Sequence, residues 1–480
     1  MTLSAIRRIV SVSVASAAVV GLIVPIGPAP LAAATPCTAP EANVEPPAAP
    51  PAIPAPAPVV QPPTGRRPRG TNEHAPLPKL GPLISRLLNP GKSAQLQAAV
   101  VPPGPNPPGP GQPSPNAAQL GPDGAPAPPP PPSIAGAPTS LVEWVTGPNS
   151  PNKTLQRFSI SGTDLGIPWD NGDPANHQVL MAFGDTFGYC AVHGQQWRYN
   201  TLFRSQDRDL SDGIQVADGV PNNRYSGSPL WAPGVSKQII SSIKRAPHET
   251  GLIPTSGISI GRTQYVNFMS IRNWGRDGEW STNFSALAVS PDNGQNWGIY
   301  PSSVRPADPE AIPGARFVPG NENFQMGAFM RGNDGYIYSF GTPSGRGGAA
   351  FLSRVPPRYL PDLTKYQYWN GDSNSWVAAD PSKATPIWPG PVGEMSAQYN
   401  NYLKQYLVLY TNGGSNDVVA RTAPAPQGPW SPEQVLVSSF QMPGGIYAPM
   451  IHPWSSGKDL YFNLSLWQAY DVMLMHTVLP

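Results

Sequence analysis

From about residue 140 the chain alternates short apolar or aromatic runs with clusters of Gly, Pro, Asn and Asp. Gln178–Phe183, Gln264–Met269, Tyr336–Phe340, Tyr406–Tyr410 and Leu460–Leu466 are examples. Runs of this length, bounded by turn residues, predict strands; no stretch carries the 3.6-residue period of a long amphipathic helix. Many short strands over roughly 340 residues suit a propeller better than a sandwich. The runs group into five blades, at about 150–215, 225–300, up to 358, up to 440, and a closing blade through Tyr461–Trp467 and Met473–Leu479. The fold class read from this pattern is all-β: a five-bladed β-propeller over 138–480, behind a signal peptide (1–34) and a disordered Pro/Ala-rich tail (35–137).

The first 137 residues have a different texture. Arg7 and Arg8 precede the apolar stretch Ile9–Val24, and Ala32-Ala33-Ala34 offers a small-residue cleavage site, the layout of a secretory signal. An uncleaved anchor is the rival, because the run approaches the length of a membrane span. Most of the chain's 66 prolines lie before residue 140; runs such as Pro128–Pro132 read as extended spacers without a core. One island, Leu80–Leu88, has helix-like spacing. The expected location is therefore secreted or associated with the cell envelope.

Composition narrows the chemistry. A net charge of +2 gives no reason to expect nucleic acid or an anionic membrane surface as partner. The 13 Trp and 17 Tyr supply flat apolar faces with a polar edge, suited to a sugar groove or to a β-rich core. The two cysteines, Cys37 and Cys190, are free to bridge after export or to remain separate. No metal or phosphate motif is present: His-Glu-x-x-His, Cys-x-x-Cys and the P-loop are absent, and no cofactor is expected. Gly257-Ile-Ser-Ile-Gly261 matches the letters of a nucleophile elbow, but strand-forming residues follow where that motif needs a helix.

Two aspartates stand out. Asp164 lies in Gly162-Thr-Asp-Leu-Gly166, and Asp185 in Phe183-Gly-Asp-Thr-Phe187. The polar stretch Asp170–His177 between them reads as the loop of a hairpin centred between Pro174 and Ala175. That register sets the two carboxyl groups side by side at one end of the hairpin. A close carboxyl pair is the minimal equipment for glycoside hydrolysis; the rival reading is that each Asp caps its own turn. Ser290-Pro-Asp292-Asn-Gly-Gln-Asn-Trp297 fits the Ser-x-Asp-x-Gly-x-x-Trp turn known as the Asp-box, which makes Asp292 a structural residue on the outer rim.

With Pro254-Thr-Ser-Gly257, Gly341-Thr-Pro-Ser-Gly-Arg346 and Tyr447-Ala-Pro449, these motifs resemble the actinobacterial domain-of-unknown-function 4185 family. The resemblance covers most of residues 140–480. Members include endo-D-arabinanases, five-bladed propellers that cut the D-arabinan of arabinogalactan and lipoarabinomannan. It implies an exported glycoside hydrolase with a cell-wall polysaccharide, arabinan, as its partner. Asp164, Asp185 and Glu394 are the catalytic candidates. Glu249, Arg198, Asn200, Arg346, Trp231, Trp274 and Trp467 are the candidates for binding sugar. Two other classes remain: a propeller that binds wall glycan without cutting it, and a scaffold that offers its proline-rich tail to a partner.

Overall fold

The computed structural model describes residues 36–37, 40–46, 133–275 and 278–480. The signal-like segment, the Leu80–Leu88 island and most of the proline-rich tract lie outside the described residues.

Five antiparallel sheets stand around one axis. Their innermost strands are Ile167–Asp170, Gly251–Ile260, Met326–Arg331, Val392–Asn400 and Ile446–Ile451, and each packs beside the next until the ring closes. The fold is the five-bladed propeller read from the sequence. Blade one continues through Val179–Phe183 and Thr201–Ser205, and blade two through Thr263–Trp274 and Trp280–Ser290. Blade four adds Gln405–Asn412, Val418–Ala423 and Gln434–Val437.

Apolar clusters fill the wedge between every pair of neighbouring blades. Leu180, Leu202, Val266 and Phe268 join blades one and two; Leu407, Leu409, Leu460 and Phe462 join blades four and five. A sheet packed on both faces needs apolar residues on both. That is why Val179–Phe183 is buried throughout and reads as an unbroken run rather than an alternation.

Two boundaries differ from the sequence reading. Blade three continues past residue 358 through Gln367–Asn370 and Ser375–Ala378. Blade five takes its outer strand from the other end of the domain. Thr139–Trp144 pairs with Asp471–Val478, Thr139 opposite Thr477, and so fastens the ring.

Two stretches of the expected 35–137 linker are fixed to the propeller. Ile134 is fully buried among Leu407, Leu436 and Leu460, and its N–H donates to Gln434 Oε1. Cys37 is disulfide-bonded to Cys190, with 5.9 Å between their Cα atoms. Beside that bridge Ala42 packs on Leu155 and Tyr189, and its carbonyl accepts the Cys190 N–H at 2.6 Å. Among the described residues no helix is long and apolar enough to cross a membrane.

Candidate active site at one mouth of the channel

The blade-one hairpin has one register throughout. Asp170 faces Val179 and Ile167 faces Ala182; farther along, Thr163 faces Thr186 and Gly162 faces Phe187. Asp164 and Asp185 therefore oppose each other where the ladder opens. The opening has a local cause. Leu165 and Gly166 both take left-handed backbone, with φ of 71° and 62°. For Leu165 this costs roughly 1–2 kcal/mol, and its N–H is taken up by Ser465 Oγ of blade five at 2.8 Å. Across the gap the Gly184 N–H donates to the Asp164 carbonyl at 3.2 Å. A Cβ on Gly184 would collide with Asp164 Oδ1, so only glycine admits the carboxyl at this position.

Both carboxyl groups line a pocket at this mouth of the channel. Asp164 is partly exposed and Asp185 is 3% exposed. Each is held by a donor from another segment. The Tyr447 hydroxyl donates to Asp164 Oδ2 at 2.8 Å, and the Trp197 indole N–H donates to Asp185 Oδ1 at 3.0 Å. Burial, reinforced by the adjacent Asp164 carboxylate, raises the Tyr447 hydroxyl well above its ordinary pKa. The phenol thus remains a donor throughout the neutral range.

Glu394 and Arg346 form the opposite wall as a buried bidentate pair. Arg346 Nη2 donates to Oε1 at 2.8 Å, and Nε donates to Oε2 at 2.9 Å. Burial disfavours the guanidinium charge, but the Glu394 carboxylate together with Tyr447 and Asp164 outweighs it, and the Arg346 pKa is raised. The guanidinium lies over the Tyr447 ring at 4.9 Å and the Trp280 ring at 5.8 Å. Arg346 is therefore a fixed cation at the pocket, and Glu394 is committed to holding it. Glu394, the third catalytic candidate, thus lines the pocket as the partner of Arg346. Trp274 and Trp280, cross-strand partners with ring centroids 6.0 Å apart, make the apolar lip, and Trp467 closes the floor beside Tyr470. Among the described residues no three His, Cys, Asp or Glu side chains gather for a metal.

Of the ten candidates, Asp164, Asp185, Glu394, Arg346, Trp274 and Trp467 meet at this pocket. Four do not. Glu249 is not part of the pocket lining and accepts from Ser270 Oγ at 2.6 Å. Arg198 is fully buried and brackets two loops, donating to the carbonyls of Ser236 (2.9 Å) and Ser159 (2.5 Å); burial lowers its pKa to about 9. Asn200 is equally buried, its amide donating to the carbonyls of Ile240 and Leu252. These bonds take Arg198 and Asn200 out of reach of any sugar. Trp231 belongs to a separate hollow on the rim. Sequence reasoning missed Tyr447, Trp280 and Trp197. Tyr447 did sit in a quoted motif, Tyr447-Ala-Pro449, whose left-handed Ala448 (φ 54°) marks a shaped turn.

Residues 149–476 match the family described as "Domain of unknown function (DUF4185)". The chain belongs to this family. Among curated relatives it is 28% identical to Notoamide biosynthesis cluster protein J' of Aspergillus versicolor over 333 residues, 65% of this chain and 83% of that one. Notoamide biosynthesis cluster protein J of another Aspergillus is 27% identical over a similar span, 65% of this chain and 82% of that one. A solved glycosyl hydrolase from Bacteroides ovatus overlaps 72% of this chain and 94% of its own at a TM-score of 0.40 and 12% identity. At that overlap the likeness does not bear on activity.

Proposed function

We propose that this protein is an exported glycoside hydrolase that cuts internal linkages of cell-envelope D-arabinan. The observation that carries the reading is the opposed pair Asp164–Asp185 at the mouth of the channel, between a fixed arginine and an indole lip. Hydrolysis takes one carboxyl to protonate the leaving glycosidic oxygen, and one carboxylate to activate water or attack the anomeric carbon. Asp164 is assigned the ionised role: a phenol donates to it, and the Arg346 guanidinium interacts with it electrostatically. Asp185, the more buried of the two, is assigned the acid. Trp274 and Trp280 offer apolar faces to the C–H side of a sugar ring. The choice of D-arabinan rests on the family motifs in residues 140–480, and export rests on the signal-like segment and the proline-rich tract.

The test is incubation of the purified protein with mycobacterial arabinogalactan while new reducing ends are followed. Asp164→Asn and Asp185→Asn should each lower the rate about 100-fold or more with unchanged melting, since each amide keeps the shape and removes the acid or base. If the wild-type chain binds the polymer and releases no reducing ends, the non-catalytic glycan-binding reading takes its place.

A further inference from the structure

A second hollow lies on the outer rim, where the loop at Asn222–Tyr225 and the hairpin carrying Trp231 meet the Asp-box turn. Trp280 and Ser290 end the same strand of 11 residues, so the hollow and the catalytic pocket are separated by about 30 Å at ~3.3 Å per residue. Asn222, Asn223, Gln295 and Asn296 contribute amides, and Tyr225 and Trp231 contribute half-buried rings.

The hollow is built from beneath. Arg204, 1% exposed, donates to the carbonyls of Asn293 (2.8 Å) and Ser226 (2.9 Å) and to Gln295 Oε1 (3.0 Å). Gln178 donates to the Tyr225 carbonyl at 2.9 Å, and Asn293 to the Arg224 carbonyl at 2.8 Å. Three buried polar side chains thus fix the backbone of one irregular surface loop. These bonds hold the loop rigid, and rigidity before contact suits a binding surface because it removes the entropy lost on contact.

The lining also selects the ligand. The hollow's two cations are engaged internally: Arg224 lies over the Tyr225 ring at 5.1 Å, and Lys237 donates to Asn296 Oδ1 at 3.1 Å beside Asp292. What remains on offer is the side-chain amides of Asn222, Asn223 and Gln295, which both donate and accept, and aromatic faces. That set matches vicinal hydroxyls on one side of a sugar and C–H groups on the other. We infer that the rim hollow is a second glycan-binding site, holding a neutral polysaccharide chain away from the catalytic pocket. The inference rests on the glycan-directed reading above and adds a site to it.

Affinity electrophoresis of the full chain tests this, in gels containing arabinogalactan or, for comparison, polygalacturonate. Trp231→Ala should weaken retardation by arabinogalactan about tenfold and leave unchanged both the melting curve and the hydrolysis rate on short soluble arabinan fragments. Trp231→Phe should keep most of the retardation, and Asn222→Gly, which removes an exposed amide at a left-handed position (φ 61°), should weaken it. The inference is overturned if Trp231→Ala and Asn222→Gly are retarded like the wild type. It is equally overturned if retardation occurs only in polygalacturonate and disappears with salt, the behaviour of a simple charge patch. Binding that depends on Trp231 without any hydrolysis would remove the proposed activity and leave the rim site standing. Hydrolysis without such binding would do the reverse.

Discussion

Tyr447→Phe removes one hydroxyl and tests the division of labour between the aspartates. The ring stays packed beside Trp467 at 6.1 Å and under Arg346 at 4.9 Å, so shape and the cation contact survive. What disappears is the 2.8 Å bond from the phenol to Asp164 Oδ2. A hydrogen bond to a charged group is worth about 1.5–3 kcal/mol. If Asp164 must be ionised for turnover, losing that bond lowers the rate by roughly 10- to 150-fold on the acid side of the pH–rate profile, and little at neutral pH. The same free energy moves the acid limb of the pH–rate profile upward by about one to two units. The assay is initial release of reducing ends from arabinogalactan across the acid and neutral range, with thermal melting run in parallel. A variant that melts normally, with its acid limb unmoved and its rate within about twofold of wild type, would refute the assignment of Asp164 as the ionised partner.

Glu394→Gln should destabilise the domain by roughly 3–5 kcal/mol in denaturant titration, because it strands a buried guanidinium; a large rate loss with unchanged stability would restore Glu394 as a catalytic acid. Asp292→Ala should lower stability by about 1–3 kcal/mol through the lost bonds from Ser290 and Asn296, with activity per folded molecule preserved; a stable but inactive variant would overturn the structural role of the Asp-box. Asp471 is 2% exposed; burial raises its pKa well above the usual carboxylate value, against a smaller opposing effect from the Thr146 hydroxyl. The folded chain therefore holds this proton to higher pH than the unfolded chain does. The resulting stability is complete below the unfolded value near 3.8 and is lost as pH rises through the folded one. Asp471→Asn should accordingly gain stability relative to wild type between mildly acid and alkaline pH, and a wild-type minus variant difference that does not change with pH would refute this.

Local contacts were legible in the sequence and distant ones were not. The Asp164–Asp185 register followed from a loop of known centre, because a two-residue side-chain period leaves few ways to pair a short hairpin. The Asp-box was equally local: Ser290, Asp292 and Asn296 bond among themselves. Pairing across blades left no such trace. Arg346 and Glu394 stand 48 residues apart, and Tyr447 reaches Asp164 across 283. Thr139–Trp144 reads as an ordinary strand, and only ring closure joins it to Asp471–Val478. Arg198 and Asn200 misled for the opposite reason. Polar residues beside a tryptophan look like sugar ligands, and nothing local reveals that their bonds go to buried loop carbonyls.

The fastening of the N-terminal segment bears on how the propeller carries mechanical load. The strand Thr139–Trp144 closes the ring from the edge of blade five, and edge pairings unzip one hydrogen bond at a time when pulled from an end. Cys37, however, is covalently joined to Cys190, 153 residues along the chain. Tension applied upstream of Cys37 therefore enters the body of blade one through a covalent bond and bypasses the closing strand. Under reducing conditions the same tension would run along the chain to Ile134 and Thr139 and open the ring at its seam. For a chain tethered by its N-terminal end, the disulfide decides whether force reaches the blades together or peels off the last strand first.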